Sequence, residues 1–168
     1  SAAPATFDRS APPEPGEARP FDLPEPQRIV LENGLEVIVI ERPGFPSVAA
    51  RLSIRAGYDA SPDAPAVAEL LGRTLMEGTE AMDAAAIARR VDASGVALSV
   101  SASPNRVVIA GSGVSTTTDA MLSIMGELVN DATFPTDRVE ARRDELVDEL
   151  ALSASQPSYH ANRQIRRV

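Results

Sequence analysis

From Arg28 onward, runs of apolar residues at strand spacing give way to runs at helical spacing, and the order of these runs sets out a fold. Arg28-Ile29-Val30-Leu31 and Leu35-Glu36-Val37-Ile38-Val39-Ile40 are rich in β-branched residues and flank Asn33-Gly34, a strong hairpin signal. After a turn at Pro43-Gly44, Val48 to Arg55 alternates, with Ala50, Leu52 and Ile54 facing one way and Arg51, Ser53 and Arg55 the other. That is the pattern of a half-buried strand. A polar loop from Tyr58 to Pro65 separates it from Val67, Leu70, Leu71 and Leu75, which recur at helical spacing.

A second helix is expected from the Asp83 N-cap, burying Ile87, Ala88 and Val91 and stopping by Gly95. Two strands follow, Val96 to Ser101 and Arg106 to Ala110, joined by Pro104-Asn105. Thr116 to Asn130 reads as a helix with Met121, Ile124, Met125 and Leu128 on its apolar side, and Pro135 opens a last, highly charged helix through Glu149. The order β-β-β-α-α-β-β-α-α is not a βαβ repeat. It predicts an α+β fold in which a mixed, largely antiparallel sheet packs against helices.

Residues 1–26 carry seven prolines and almost no apolar pattern, which predicts an extended, polyproline-like arm before a domain over residues 27–168. The arm reads as a linker or as a strap that docks on the domain or a partner. The start, Ser1-Ala2-Ala3-Pro4, fits a processed secretory protein or a cloning remnant, so the compartment stays open between bacterial periplasm and cytoplasm.

Composition removes several functions. The chain has 168 residues, a net charge of −8 and no cysteine, so disulfides, thiolate metal sites and cysteine nucleophiles are excluded. All sixteen basic residues are arginine, without a basic cluster carrying interleaved aromatics, which argues against nucleic acid. No apolar run approaches the ~18 residues of a membrane span. His160 is the only histidine, whereas zinc sites usually take at least two His or Cys ligands. Beside Tyr159 it reads as an ordinary surface or packing residue. Gly111-Ser112-Gly113 is a weak match to a phosphate loop, without the Lys that such a loop needs. Asp59, Asp63 and Glu80 read as loop and cap carboxylates.

The stretch Ala68-Glu69-Leu70-Leu71-Gly72-Arg73, followed by Leu75-Met76-Glu77-Gly78-Thr79, resembles the motif helix of the M16 (insulinase/pitrilysin-type) metallopeptidases. That helix carries H-x-x-E-H ahead of a Gly-Thr pair. Further markers in the same order are Leu31-Glu32-Asn33-Gly34-Leu35, Ala56-Gly57 and Asn130-Asp131-Ala132-Thr133-Phe134-Pro135. The resemblance covers about residues 25–165 and implies an incomplete, amino-terminal part of an M16 domain.

Carried over position by position, the resemblance puts the first zinc-binding His on Glu69, the catalytic Glu on Gly72 and the second His on Arg73. The distant third ligand falls on Glu149, in Val147-Asp148-Glu149-Leu150. It therefore implies no catalytic residues and no bound metal in this chain, with zinc expected only in an active partner. Glu69 and Arg73 stand at i and i+4, the order that favours a helical ion pair. Two arrangements follow: a solvated surface pair, or an Arg73 guanidinium filling the vacated metal position between Glu69 and Glu149. The nearby carboxylates Glu69 and Glu77 come without a metal to activate water.

The resemblance implies a non-catalytic subunit or half of a heteromeric peptidase acting on peptides, paired with an M16-type catalytic subunit or with itself. An edge strand of the sheet could hold the peptide by backbone pairing. Two alternatives remain: a non-proteolytic scaffold or assembly protein reusing the fold, and an active metallopeptidase with atypical ligands.

Overall fold

A computed structural model describes residues 24–57 and 66–165, together with Gly16 and Ala64. The expected arm lies outside the described residues apart from Gly16 and 24–26, as does the Tyr58–Pro65 loop, with Asp59 and Asp63, apart from Ala64. The chain divides into two compact units between Gly44 and Phe45.

The first unit contains a two-stranded antiparallel sheet, β1 (Gln27–Val30) and β2 (Glu36–Val39), with Ile29 opposite Val37. The Leu31 N–H donates to the Leu35 carbonyl at 2.9 Å, so Glu32–Gly34 form a three-residue loop. Gly34 takes the left-handed position, φ 82°, that such a loop requires. Asn33 Oδ1 accepts from the Leu35 N–H at 3.1 Å, and Arg28 pairs with Glu36 across the strands at 2.7 Å.

The second unit is built on a three-stranded antiparallel sheet in the order β3-β5-β4: β3 (Ser47–Ile54), β5 (Arg106–Val114) and β4 (Ala97–Ser103). The central strand sets the register for both neighbours. Ile109 faces Leu52 on one side and Val100 on the other; Gly111 faces Ala50 and Leu98. These inward rows form the floor of the core. The alternate positions, Arg51, Ser53, Ser99, Ser101 and Ser112, are exposed, as a sheet with one covered face demands.

Helices cover the inner face. α1 (Ala66–Thr74) lies on β4, and α3 (Thr118–Asn130), entered through a 3₁₀ turn at Ser115–Thr117, lies on β5. α2 (Ala84–Ala93) starts where the Asp83 carboxylate accepts from the Ala86 N–H at 2.7 Å. It stops in a Schellman turn: the Gly95 N–H donates to Asp92, the Val96 N–H donates to Val91, and Gly95 sits at φ 63°. Leu75, Ile87, Val91, Val96, Ile109, Met121, Ile124, Met125 and Leu128 make one buried cluster. Each large side chain fully buried there contributes about 1.5–3 kcal/mol, so truncating Ile109 or Ile124 to Ala would cost about 2–5 kcal/mol.

α4 (Thr136–Ala154) runs five residues beyond the expected end at Glu149, and a further helix, α5 (Pro157–Ile165), follows it. The architecture is α+β, with antiparallel sheets and helices, as the order of elements predicted. Among the described residues no helix is long and apolar enough to cross a membrane.

Candidate functional site

α1 begins with apolar residues at Val67, Leu70 and Leu71 and leaves Glu69 and Arg73 one turn apart on a partly buried face. Arg73 Nε donates to Glu69 Oε1 at 2.9 Å. The other end of the same guanidinium forks onto α4: Nη1 donates to Glu149 Oε1 at 3.0 Å and Nη2 to Glu149 Oε2 at 2.8 Å. One arginine thus holds two carboxylates, the second in the bidentate geometry for which a planar guanidinium is suited. Arg73 thus bridges Glu69 on its own helix and Glu149 on α4, rather than pairing with Glu69 alone.

The electrostatics follow from the contacts. The fork to Glu149, then the bond to Glu69, raises Arg73 above the usual guanidinium range. The same fork holds the Glu149 carboxyl below its ordinary value of 4.5. The Arg73 side chain is 27% exposed and that of Glu149 58%, so solvent weakens this contact considerably. Glu149 is therefore both a surface carboxylate and a bonded one.

Gly72, between the two, is where α1 approaches β4. A Cβ there would lie 3.4 Å from the Ala102 Cβ and backbone nitrogen, ordinary van der Waals contact. Space does not compel glycine at this position. It leaves the helix without a carboxylate to act as a base.

Zinc does not fit these residues. Glu69 offers one carboxylate, Gly72 no side chain, and Arg73 a cation that cannot act as a ligand. Glu69 and Glu149 both turn toward the guanidinium. Among the described residues no group of three or more His, Asp or Glu is placed to hold a metal ion. His160 donates from Nε2 to the Ala154 carbonyl at 2.7 Å and meets Tyr159 edge-on, on an exposed stretch of α5.

A second arginine clamp was not legible in the sequence. Glu77 is buried, and Arg142 of α4 donates to its Oε1 from Nε at 2.7 Å. Arg142 Nη1 also binds Glu145 at 2.7 Å. Glu145 first, then Glu77, raises Arg142 above the usual guanidinium range. The i, i+3 pair with Glu145 lies within the reach of helical spacing; the bond to Glu77, 65 residues away, does not.

The Gly78-Thr79 pair also has a structural role. The buried Thr79 hydroxyl donates to Glu127 at 3.2 Å, and Glu127 is gripped by Arg90 of α2. Gly111-Ser112-Gly113 lies in strand β5, where a Cβ on Gly111 would come within 2.7 Å of Met121 Sδ. The weak match to a phosphate loop is a close approach between sheet and helix.

The fold is shared with solved structures. One is the peptidase M16 inactive domain from Pseudomonas fluorescens, at TM-score 0.77 and 24% identity over 82% of this chain and 34% of that one. Another is a protease from Helicobacter pylori, at TM-score 0.70 and 17% identity over 76% of this chain and 31% of that one. The chain thus spans about a third of the length of either structure. No curated protein matches it. The insulinase profile, peptidase family M16, matches residues 36–167, and the chain belongs to that family.

Proposed function

We propose that this chain is part of a non-catalytic M16 homologue, serving as the metal-free subunit or half of a peptidase assembly that handles peptides. The observation that carries the reading is the Arg73 guanidinium set between Glu69 and Glu149. A ligand set for zinc needs electron-pair donors facing a common point. Here Glu69 and Glu149 both face a permanent cation of the protein's own.

Gly72 supports the same reading, because general-base activation of water requires a side chain that this position lacks. The role left to such a half is to shape the chamber and hold the substrate. β4 lies at one edge of its three-stranded sheet, beside α1, and an extended peptide pairs with an open strand edge through its backbone. Zinc and the attacking water would come from an M16-type partner subunit carrying H-x-x-E-H.

The test is to purify the full-length protein with its bound partners and assay peptide cleavage with and without added zinc. Cleavage by the complex, combined with none by this protein alone and well under one zinc per molecule, is the expected result. Stoichiometric zinc and cleavage by the protein alone would overturn the reading. A complex without peptidase activity under either condition would replace it with the scaffold alternative.

A further inference from the structure

We propose that α4 is a hinged arm, pivoting at the Phe134–Pro135 corner and latched to the body of its unit by the Arg73 and Arg142 clamps, with the Arg73 latch opening first. This inference is independent of whether the chain cleaves peptides.

The first observation is how little apolar surface holds the helix. None of the nine residues in the buried cluster lies on α4, although the helix is 19 residues long. Leu146 is its one buried residue. Most helices of a domain are fixed by an apolar stripe; this one is fixed largely by charge.

The second observation is the arrangement of that charge. The two clamps cross between the α1 segment and α4 in opposite senses. Arg73 reaches from α1 to Glu149, and Arg142 reaches from α4 to Glu77, just past the end of α1. Arg73 and Glu77 are four residues apart, Arg142 and Glu149 seven, so the contacts sit at two heights along an antiparallel seam. Their carboxylates differ sharply in exposure, Glu77 at 8% and Glu149 at 58%, a gap much wider than that between Arg142 at 39% and Arg73 at 27%. Water and salt therefore reach the Glu149 contact, and weaken it, before they reach the other. α4 carries six carboxylates and three arginines, so its attachment to Glu69 and Glu77 depends on the two bridging cations.

The third observation is the pivot. Phe134 has a positive φ of 48°, a conformation that a bulky side chain rarely adopts. The corner is nonetheless fixed: the Thr133 N–H donates to the Gly78 carbonyl at 3.1 Å, and a Cβ on Gly78 would lie 3.1 Å from Pro135 Cγ. Opening thus starts at the far, carboxy-terminal end of α4 and separates Glu149 from the Glu69–Arg73 pair.

Amide hydrogen exchange on the full-length protein, read by mass spectrometry at low salt and at about 0.5 M sodium chloride, tests this. In high salt, residues 147–154 are expected to exchange about tenfold faster, 137–142 less so, and 121–128 of α3 unchanged. Arg73→Met should produce the same acceleration of 147–154 at low salt and abolish its salt response. Arg142→Met should extend the acceleration to the start of α4. The proposal fails if α3 and α4 accelerate together, since the unit then opens globally. It also fails if exchange in α4 ignores both salt and Arg73→Met while α3 stays protected.

Discussion

Arg142 and Glu77 form the more deeply set ion pair of the α1–α4 seam, with Arg142 Nε 2.7 Å from a carboxylate that is 8% exposed. Burial makes the pair asymmetric in its consequences. Removing the arginine strands an anion away from water, whereas neutralising both partners does not.

Arg142→Met should accordingly cost about 2 kcal/mol of unfolding free energy, and Glu77→Gln should recover part of the loss in the double variant. Urea denaturation of the two single variants and the double reads this directly. Strictly additive effects would show that Glu77 does not depend on Arg142.

The Arg73 clamp is more solvated and should count for less. Arg73→Met is expected to cost about 1 kcal/mol, the upper range for a partly exposed pair. Combined with Glu149→Gln, the effects should be less than additive, because each substitution removes the same contact. Independent, additive effects would place Glu149 away from Arg73 in solution.

The pH dependence of that contact has a definite sign. Arg73 lowers the Glu149 pKa in the folded state below the ordinary 4.5. A depressed carboxylate contributes stability that is present above its unfolded pKa and lost as pH falls through the folded one. The stability difference between the wild-type chain and Glu149→Gln should thus be constant near neutrality and shrink below about pH 4.5. A difference that grew on acidification would contradict the assignment.

Much of the fold was legible because its signals are local. The Val48–Arg55 alternation, the Asp83 cap, Gly95 and the Met121–Leu128 stripe each depend on residues a few positions apart. What went unread depends on distant contacts. β5 continues through Gly111-Ser112-Gly113 because a helix packs closely there, and small residues hide the strand period. α4 continues past Glu149 with little apolar pattern, since its attachments are ion pairs to residues 65 and 76 positions away. Glu149 is singled out in the sequence only by the family resemblance. Arg142 carries no such marker among the charged residues of α4.

Glycine substitutions separate two uses of the residue. Gly72→Ala places a Cβ in ordinary contact with Ala102 and should stabilise α1 by about 0.5–1 kcal/mol, the difference in helix propensity. Gly111→Ala puts a Cβ 2.7 Å from Met121 Sδ and should destabilise by about 1–3 kcal/mol through overpacking. Thermal unfolding of the pair decides it; a loss of stability for Gly72→Ala would mean that the α1–β4 contact has no room for a methyl group.

Three substitutions should rebuild a metal site on the α1–α4 seam. Positions 69 and 73 share one face of α1, and the side chain at 73 already reaches the Glu149 carboxylate. In Glu69→His/Gly72→Glu/Arg73→His, two imidazoles would replace the carboxylate–guanidinium pair, leaving Glu149 without its cation and free to act as the third ligand. A Glu at 72 begins from a Cβ that the β4 contact accommodates. Titration calorimetry should detect zinc binding to the triple variant and none to the wild-type chain, and Glu149→Gln in the triple background should weaken that binding. Peptide cleavage is not expected to return with the metal, because ligand orientation depends on hydrogen-bonding partners that these substitutions do not supply. A folded triple variant without zinc affinity would show that α4 does not hold Glu149 over α1 once the arginine is gone. Separated from the clamp that positions it, the third ligand would then be lost with Arg73.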